Sequence, residues 1–420
     1  MKINNFNKRA VSKISLLLAT VIVAASCNKP LPDAMPIIYA GANASTVSLG
    51  SVINSDTTYS IYKAAATRVG ALAMLSDSTK VFTIFLPNNA AFRASGIASE
   101  VVIGLLPITS VGGIVQYSII PGEQFLSTDT TLTRFPNLQL PTALTIGVLP
   151  GTTVPLKMTI FPSKRSNGFW ANNIPVVAPD LKFQNGVIHL VGAVVAPPAQ
   201  TLKGDLYSNP NLTFFKAAIA RADSGASGLN KLDSLLGYGV TNMTVLAPND
   251  AAFQTLLFGL IYTSLKQGPD SNYAAQIAQA LSATPAVFSN PALYSVITPA
   301  MVKGILAYHF LATIARGDTS FKPNIRVFSN NFATTPGVFY TTLVNSSVPP
   351  LLQPGVMAQA TFTGPFVSSL QFKGAGTFPP GGAPYSGAAA NALVNPATGL
   401  LDHPGVNGNY FVIDKVLLPQ

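Results

Sequence analysis

The chain carries one short stretch twice, as Val81-Phe-Thr-Ile-Phe-Leu-Pro-Asn-Asn-Ala-Ala-Phe92 and as Asn242-Met-Thr-Val-Leu-Ala-Pro-Asn-Asp-Ala-Ala-Phe253. Each copy is an apolar run of strand length, then Pro-Asn, then small residues that open a helix. Asn88 and Asn249 stand where an N-cap side chain accepts from the backbone N–H groups that a first helical turn leaves unpaired. Asp250 adds a carboxylate at the positive end of the second helix dipole. A repeat of this kind means two like units in tandem, and every other feature has to be placed within one unit or the other.

Further landmarks recur in the same order. Before the first copy, Ile61, Ala65, Val69 and Leu72 recur at helical spacing and make one apolar face. Leu212, Phe215 and Ile219 do the same before the second copy. After each copy comes an apolar helix that carries a tyrosine, Gly113 to Ile120 with Tyr117, and Lys303 to Leu311 with Tyr308. Each unit then passes through short strands broken by Pro, Gly and Asn, and ends on an Asn-Gly turn and a buried strand: Asn185-Gly-Val-Ile-His-Leu-Val-Gly-Ala-Val-Val-Ala-Pro197 and Asn407-Gly-Asn-Tyr-Phe-Val-Ile-Asp-Lys-Val-Leu-Leu-Pro419. The offsets grow from about 161 at the Pro-Asn turn to about 191 at the tyrosine and about 222 at Asn-Gly. The second unit is therefore expected to hold two insertions of about 30 residues, in 259–300 and within 335–406. The second includes the irregular run Pro379-Pro-Gly-Gly-Ala-Pro384.

These landmarks, in this order, resemble fasciclin-type (FAS1) domains. Pro87, Asn88 and Phe92, with Pro248, Asn249 and Phe253, match the family's first motif. Asn185, Gly186 and His189, with Asn407 and Gly408, match its second. The resemblance spans nearly all of 45–420 as two copies, 45–199 and 200–420. It implies an α+β fold, each unit a β-sandwich or wedge with helices packed at one side. The family is chiefly associated with cell adhesion and matrix contact and has no general catalytic activity. Its Tyr-His pair on the helix between the motifs appears as Tyr308-His309, while the first unit has Tyr117-Ser118. The histidine of the second motif is His189 in the first unit, and Phe411 takes its place in the second. Each unit thus keeps a different one of the two histidines. An acidic adhesion motif of the Asp-Ile kind is evident in neither unit, so integrin-type recognition is not carried over.

The start of the chain has its own logic. A basic segment through Lys13 precedes about a dozen apolar residues, Ile14 to Ala25, which suits an export signal and falls short of the roughly 20 needed to span a bilayer. The run ends Val23-Ala-Ala-Ser-Cys27, which resembles a bacterial lipobox with Ala24 where Leu is usual. Cys27 is the only cysteine, and a lone thiol on an exported chain favours lipidation, with residues 1–26 removed and 27–44 a Pro-rich tether. A membrane contact through lipid on Cys27 and an outer-membrane location are the expectations, the face of that membrane being left open. With no second cysteine, both cores must hold without a disulfide.

Composition excludes more than it identifies. Hydrophobic residues make up 48% and charged residues 10%, with 33 Gly and 33 Pro, a balance that suits loop-rich exported domains better than disorder. Lys2, Lys8, Arg9 and Lys13 fall in the expected signal, and removing those four from +10 leaves +6 on the mature chain. Those charges are scattered without interleaved aromatics, so no nucleic-acid partner is expected. Three histidines, His189, His309 and His403, lie far apart, so neither a metal nor another cofactor is expected. Packing in the core explains His189 and His309 better than ligation. Glu100 and Glu123 are the only glutamates, and the sequence holds no Gly-x-Ser-x-Gly elbow and no phosphate loop; the chain reads as no enzyme. Two roles are left open: adhesion or protein contact, and glycan binding beside an outer-membrane uptake system. The second would use the only tryptophan, Trp170, with Phe169, Arg165 and Lys164 on a polar hairpin. Phe169 and Trp170 read better as a core residue and its neighbour on a strand.

Overall fold

The computed structural model describes residues 46–134, 137–149, 151–266, 271–314, 321–322, 324–344 and 354–420. The expected signal segment, Cys27 and the tether lie outside them. The chain divides into two compact units, with the break between Pro197 and Pro198.

In the first unit the helices are α1 (Leu49–Ser55), α2 (Ser60–Arg68), α3 (Ala71–Ser76), α4 (Asn89–Ala94), α5 (Glu100–Leu105) and α6 (Ile108–Tyr117). The apolar face expected as one helix is split between α2 and α3. Gly70, at φ +73°, takes the left-handed conformation that stops α2 and restarts the chain as α3. The strands are β1 (Phe82–Pro87), β2 (Ile119–Pro121), β3 (Leu140–Val148), β4 (Pro155–Ile160), β5 (Pro162–Arg165), β6 (Gly168–Ala171), β7 (Ile174–Phe183) and β8 (Gly186–Val191). Six of them form one sheet in the order β2-β1-β8-β7-β6-β5, and β3 pairs with β4 as a separate hairpin. At its centre β1 and β8 run parallel, Phe82 opposite Gly186 through Pro87 opposite Val191. Every residue of these two strands is buried, which explains their continuous apolar character. Phe82, Ile84 and Leu86 point into the core made with α1, α2 and α6; Phe85, on the opposite face, meets the rings of Phe169 and His189.

The second unit repeats this plan. Its helices are α7 (Leu202–Ser208), α8 (Thr213–Ala222), α9 (Leu232–Gly237), α10 (Asp250–Leu265), α11 (Ser271–Ser282) and α12 (Pro299–Tyr308). The sheet β10-β9-β18-β17 is built from β9 (Met243–Pro248), β10 (Phe310–Leu311), β17 (His403–Gly405) and β18 (Gly408–Ile413), and β11 (Thr313–Ile314) pairs with β12 (Phe321–Lys322) as a separate two-stranded sheet. Its centre is again a parallel pair, Met243 opposite Gly408 through Pro248 opposite Ile413. Here too both faces are covered. Met243, Val245, Ala247, Tyr410 and Val412 join the helical core, while Leu246, Phe411 and Ile413 pack against a second sheet. That sheet contains β13 (Phe339–Tyr340), β14 (Val356–Thr363), β15 (Phe366–Lys373) and β16 (Ala390–Asn391), contributing Val356, Ala358, Ala360, Leu370 and Phe372 to the interface. Sheet on sheet with helices at one side is an α+β fold.

The first insertion is not a loop. It lengthens α10 to 16 residues, against 6 in α4, and adds α11, whose small residues Ala274, Ala278 and Ser282 are buried. Within the second insertion β14 and β15 are regular, while residues 374–389 hold no helix or strand.

Candidate functional site

The motif residues are tied into the framework by their side chains. Asn88 Oδ1 accepts from Ala91 N, and Asn249 Oδ1 from Ala252 N, so both cap their helices. The residues after them reach a neighbouring helix instead. Asn89 Oδ1 accepts from Ile61 N at the start of α2, and Asp250 accepts from Phe214 N and Thr213 Oγ1 at the start of α8. One Pro-Asn turn thus closes two helix N-termini, and Pro87 and Pro248 end the strands before it. Phe92 and Phe253 are core residues.

Asn185 and Asn407 make the same three contacts. Asn185 Oδ1 accepts from Leu49 N at 2.8 Å, and its Nδ2 donates to Leu75 O and Asp77 O. Asn407 Oδ1 accepts from Leu202 N at 2.8 Å, and its Nδ2 donates to Leu236 O and Tyr238 O. Each amide therefore pins the first helix and the end of the helix before the first strand to the turn before the last strand. Neither Asn-Gly forms the centre of its hairpin: the turn residues are Gln184-Asn185 and Val406-Asn407, with Gly186 and Gly408 already paired. A Cβ on Gly186 would lie 2.0 Å from Phe82 O, and one on Gly408 2.4 Å from Met243 O. Glycine is required because β1 and β9 pass too close. Tyr117 and Tyr308 are equally structural. The Tyr117 hydroxyl donates to Thr159 O and accepts from Asn172 Nδ2; that of Tyr308 donates to Gly355 O and accepts from Ala375 N.

One cluster has the membership of a catalytic triad. Ser127 Oγ lies 2.5 Å from Asp180 Oδ2, His189 Nδ1 is 3.9 Å from Asp180 Oδ1, and Lys164 Nζ donates to Ser127 O. Asp180 sits at φ +62° where β7 bulges against β8. The hydrogen bonds do not allow triad chemistry. Ser127 donates to the carboxylate and not to a base, and its backbone N–H donates to Asp180 Oδ1. His189 Nδ1 accepts from Asp180 N, so its Nε2 carries the proton and donates to Phe125 O; both nitrogens are committed. Burial holds its pKa below the usual histidine range, against the pull of Phe125 O and Asp180. The contact with Asp180 is therefore between a neutral imidazole and a carboxylate.

The second unit shows which part of this cluster the fold needs. Ser329 N and Oγ donate to Asp402, as Ser127 does to Asp180. The buried carbonyl that His189 serves, Phe125 O, has its counterpart in Val327 O, and there Asn409 Nδ2 is the donor. Thr83 Oγ1 and Thr244 Oγ1 bracket the two sites alike, donating to Glu123 O and Ile325 O while accepting from Phe125 N and Val327 N. The donor there comes from a different position of the strand, Asn409 where the first unit has Val187, so what the fold needs is a donor to a buried carbonyl and not a base. His309 is likewise locked: Nδ1 donates to Ile305 O and Nε2 accepts from Leu417 N. Burial lowers its pKa to about 4. His403 stacks on Tyr410 with ring centroids 4.3 Å apart, its buried Nε2 has no partner among the described residues, and burial lowers its pKa to about 4. Among the described residues no three His, Cys, Asp or Glu side chains are placed to hold a metal.

The hairpin around Trp170 is β5–β6, and it corrects the expected binding surface. Trp170 is 1% exposed and Phe169 6%, so neither ring offers a face to a sugar. Phe169 meets His189 edge-on at 5.2 Å. Lys164 is spent on Ser127 O, and Arg165 Nη1 donates to Lys164 O at 2.8 Å. Phe169 is buried against Phe85 and His189, and Trp170, on the other side of β6, is buried as well.

An accessible surface lies elsewhere in the first unit, along α2 and α5. Ser60, Lys63, Ala64, Thr67, Arg68 and Glu100 line an open cleft of about 470 Å³. Beside it Val101 is 71% exposed, Leu105 81% and Ile108 50%, while Ile103 faces the core. Ser60 Oγ donates to Glu100, and Arg68 Nη1 to Ile103 O and Leu106 O at the end of α5. Sequence reasoning passed over this ridge because Val101, Ile103 and Leu105 look alike in an apolar run. The i, i+4 spacing of Val101 and Leu105, opposite Ile103, is the signal that separates them.

No curated protein sequence matches the chain. A FAS1 domain pair from the insect cell adhesion molecule fasciclin I aligns with 85% of this chain and 95% of that one, at 15% identity and a TM-score of 0.31, too loosely to add to the fold described above. The fasciclin domain family matches residues 57–197, from the turn before α2 to the end of the first unit. The chain therefore contains a fasciclin domain over residues 57–197, and its second unit is built on the same framework.

Proposed function

We propose that this is a lipid-anchored, non-enzymatic protein of the bacterial cell envelope, attached through Cys27 to the outer membrane, that makes adhesive or protein–protein contacts through its two units. The observation that carries this reading is the fasciclin domain at 57–197, in which the polar groups resembling catalytic machinery are consumed by hydrogen bonds within the fold. The lipobox-like start supports the anchor, and no described helix is long and apolar enough to cross a membrane. Glycan binding lost its stacking platform when Trp170 and Phe169 proved to be core residues.

The test has two arms. Labelled palmitate should enter the full chain expressed in a bacterial host and fail to enter Cys27→Ala; label in both, or in neither, refutes the anchor. Residues 28–420, immobilised and screened against matrix proteins, envelope proteins and polysaccharides, should retain proteins. Retention of polysaccharide alone, or turnover of any polysaccharide, refutes the contact function.

A further inference from the structure

We propose that the ridge of Val101, Leu105 and Ile108, with the cationic cleft beside it, docks an acidic amphipathic helix of a partner protein. The inference rests on the reading above and names the chemistry of the contact.

Two independent observations point to this occupant. The first is the second unit's own solution at the corresponding flank. There α10 takes the place of α4, α8 that of α2, and the turn Pro285–Ser289 packs on α8 as α5 packs on α2. Arg221 Nε donates to Ile297 O as Arg68 Nη1 donates to Leu106 O, which fixes the correspondence. In that unit an extra helix, α11, packs on α10 and on the turn 285–289 and buries Ala274, Ala278 and Ser282. The second unit thus covers this flank with a helix of its own. The first unit has six residues in α4, no counterpart of α11 among its described residues, and leaves Val101 and Leu105 more than two-thirds exposed.

The second observation is charge. Helices α2, α4, α5 and α6 carry three cations, Lys63, Arg68 and Arg93, against one carboxylate, Glu100. Ser60 Oγ holds that carboxylate and Arg93 lies near it, both lowering its pKa. The helix α11 that covers the other flank has no charged residue. A helix from outside meets a surplus of positive charge, so it needs carboxylates beside its apolar stripe. Small or leucine side chains on that stripe would lie along Val101 and Leu105, in the helix-in-groove mode.

The test uses residues 28–420 and two fluorescein-labelled 18-residue probes with the same Leu and Ala stripe, one with Glu on the polar face and one with Lys. Fluorescence anisotropy should show saturable binding of the Glu peptide, at least tenfold tighter than the Lys peptide. Binding should be lost in Leu105→Asp and weakened at least fivefold in Lys63→Glu, both with unchanged melting. Equal binding of both peptides, binding of neither, or binding indifferent to Leu105→Asp overturns the proposal. So does self-association in sedimentation, or binding to anionic phosphatidylglycerol vesicles, that Leu105→Asp abolishes, since the ridge then serves a second copy or a lipid surface. If proteins from the immobilised screen still bind Leu105→Asp fully, the docking site is wrong and the contact function stands. If the screen retains no protein, the contact function itself falls.

Discussion

Lowering the pH should loosen the second unit well before any carboxylate accounts for it. His309 and His403 are buried and their pKa values stand at about 4, against an ordinary value of 6.5. The cause in both is loss of hydration. His309 would also lose the acceptor that holds Leu417 N, and His403 would place an unpartnered cation under Tyr410. Above pH 6.5 both the folded and the unfolded forms are neutral, and stability does not depend on these groups. As pH falls from 6.5 toward 4 the unfolded chain takes up the protons and the folded one does not, so stability falls; below 4 the loss is complete. At about 1.4 kcal/mol per pH unit, each histidine removes about 2 kcal/mol by pH 5 and the two together about 4 kcal/mol. That is a large share of an ordinary domain's stability.

Urea unfolding at pH 7, 6 and 5, followed by far-ultraviolet circular dichroism and by fluorescence, separates the units. Trp170 is the only tryptophan and is buried in the first unit, so its emission reports that unit alone. The dichroism transition of the second unit should move to lower urea between pH 7 and 5 by more than the Trp170 transition. His403→Phe keeps the stacked ring and removes the proton site, so it should cut the pH dependence by about half. A second-unit transition that stays fixed from pH 7 to 5, or a His403→Phe variant with undiminished pH dependence, would refute the reasoning.

Other perturbations follow from the same contacts. Asn185→Ala removes three hydrogen bonds, two of them buried, and should cost about 3 kcal/mol, read as an earlier Trp170 transition in urea; Asn407→Ala should do the same to the second unit. Gly186→Ala places a methyl group against Phe82 O and should destabilise the first unit by several kcal/mol, about as much as a severe core substitution, seen in the same titration. Trp170→Ala should cost about 3–5 kcal/mol of stability, while Trp170→Phe should fold and bind proteins as the parent does. Leu105→Asp, on an exposed position, should change melting by no more than about 0.5 kcal/mol equivalent.

The framework was legible because its determinants are local and repeated. A Pro-Asn turn, an apolar helix with a tyrosine and an Asn-Gly before a buried strand each mark one landmark, and their order gives the tandem; that the chain leaves each helix at the tyrosine and enters a strand was not read. The roles of Asn185 and Asn89 were not legible, because their partners lie 136 and 28 residues away and are backbone atoms with no sequence signature. His189 and His309 could be read as packed, but which nitrogen donates depends on Asp180 N and Leu417 N. The binding surface was misplaced for a simple reason. Trp170 and Phe169 sit in a polar hairpin sequence, and their burial, that of Phe169 against Phe85, is set by the fold around them. The flank of α5 was missed because Val101, Ile103 and Leu105 read as one apolar run and not by the side of the helix each occupies.

The central claim is that this protein works by contact, through a surface apart from its sequence motifs. The most direct measurement is attachment under flow of beads carrying residues 28–420 to surfaces coated with matrix or envelope proteins. Attachment that survives Trp170→Phe and is lost in a Val101→Asp, Leu105→Asp double variant of unchanged melting is the expected result. Attachment to none of these surfaces, or attachment that the double variant retains and Trp170→Phe destroys, would contradict it.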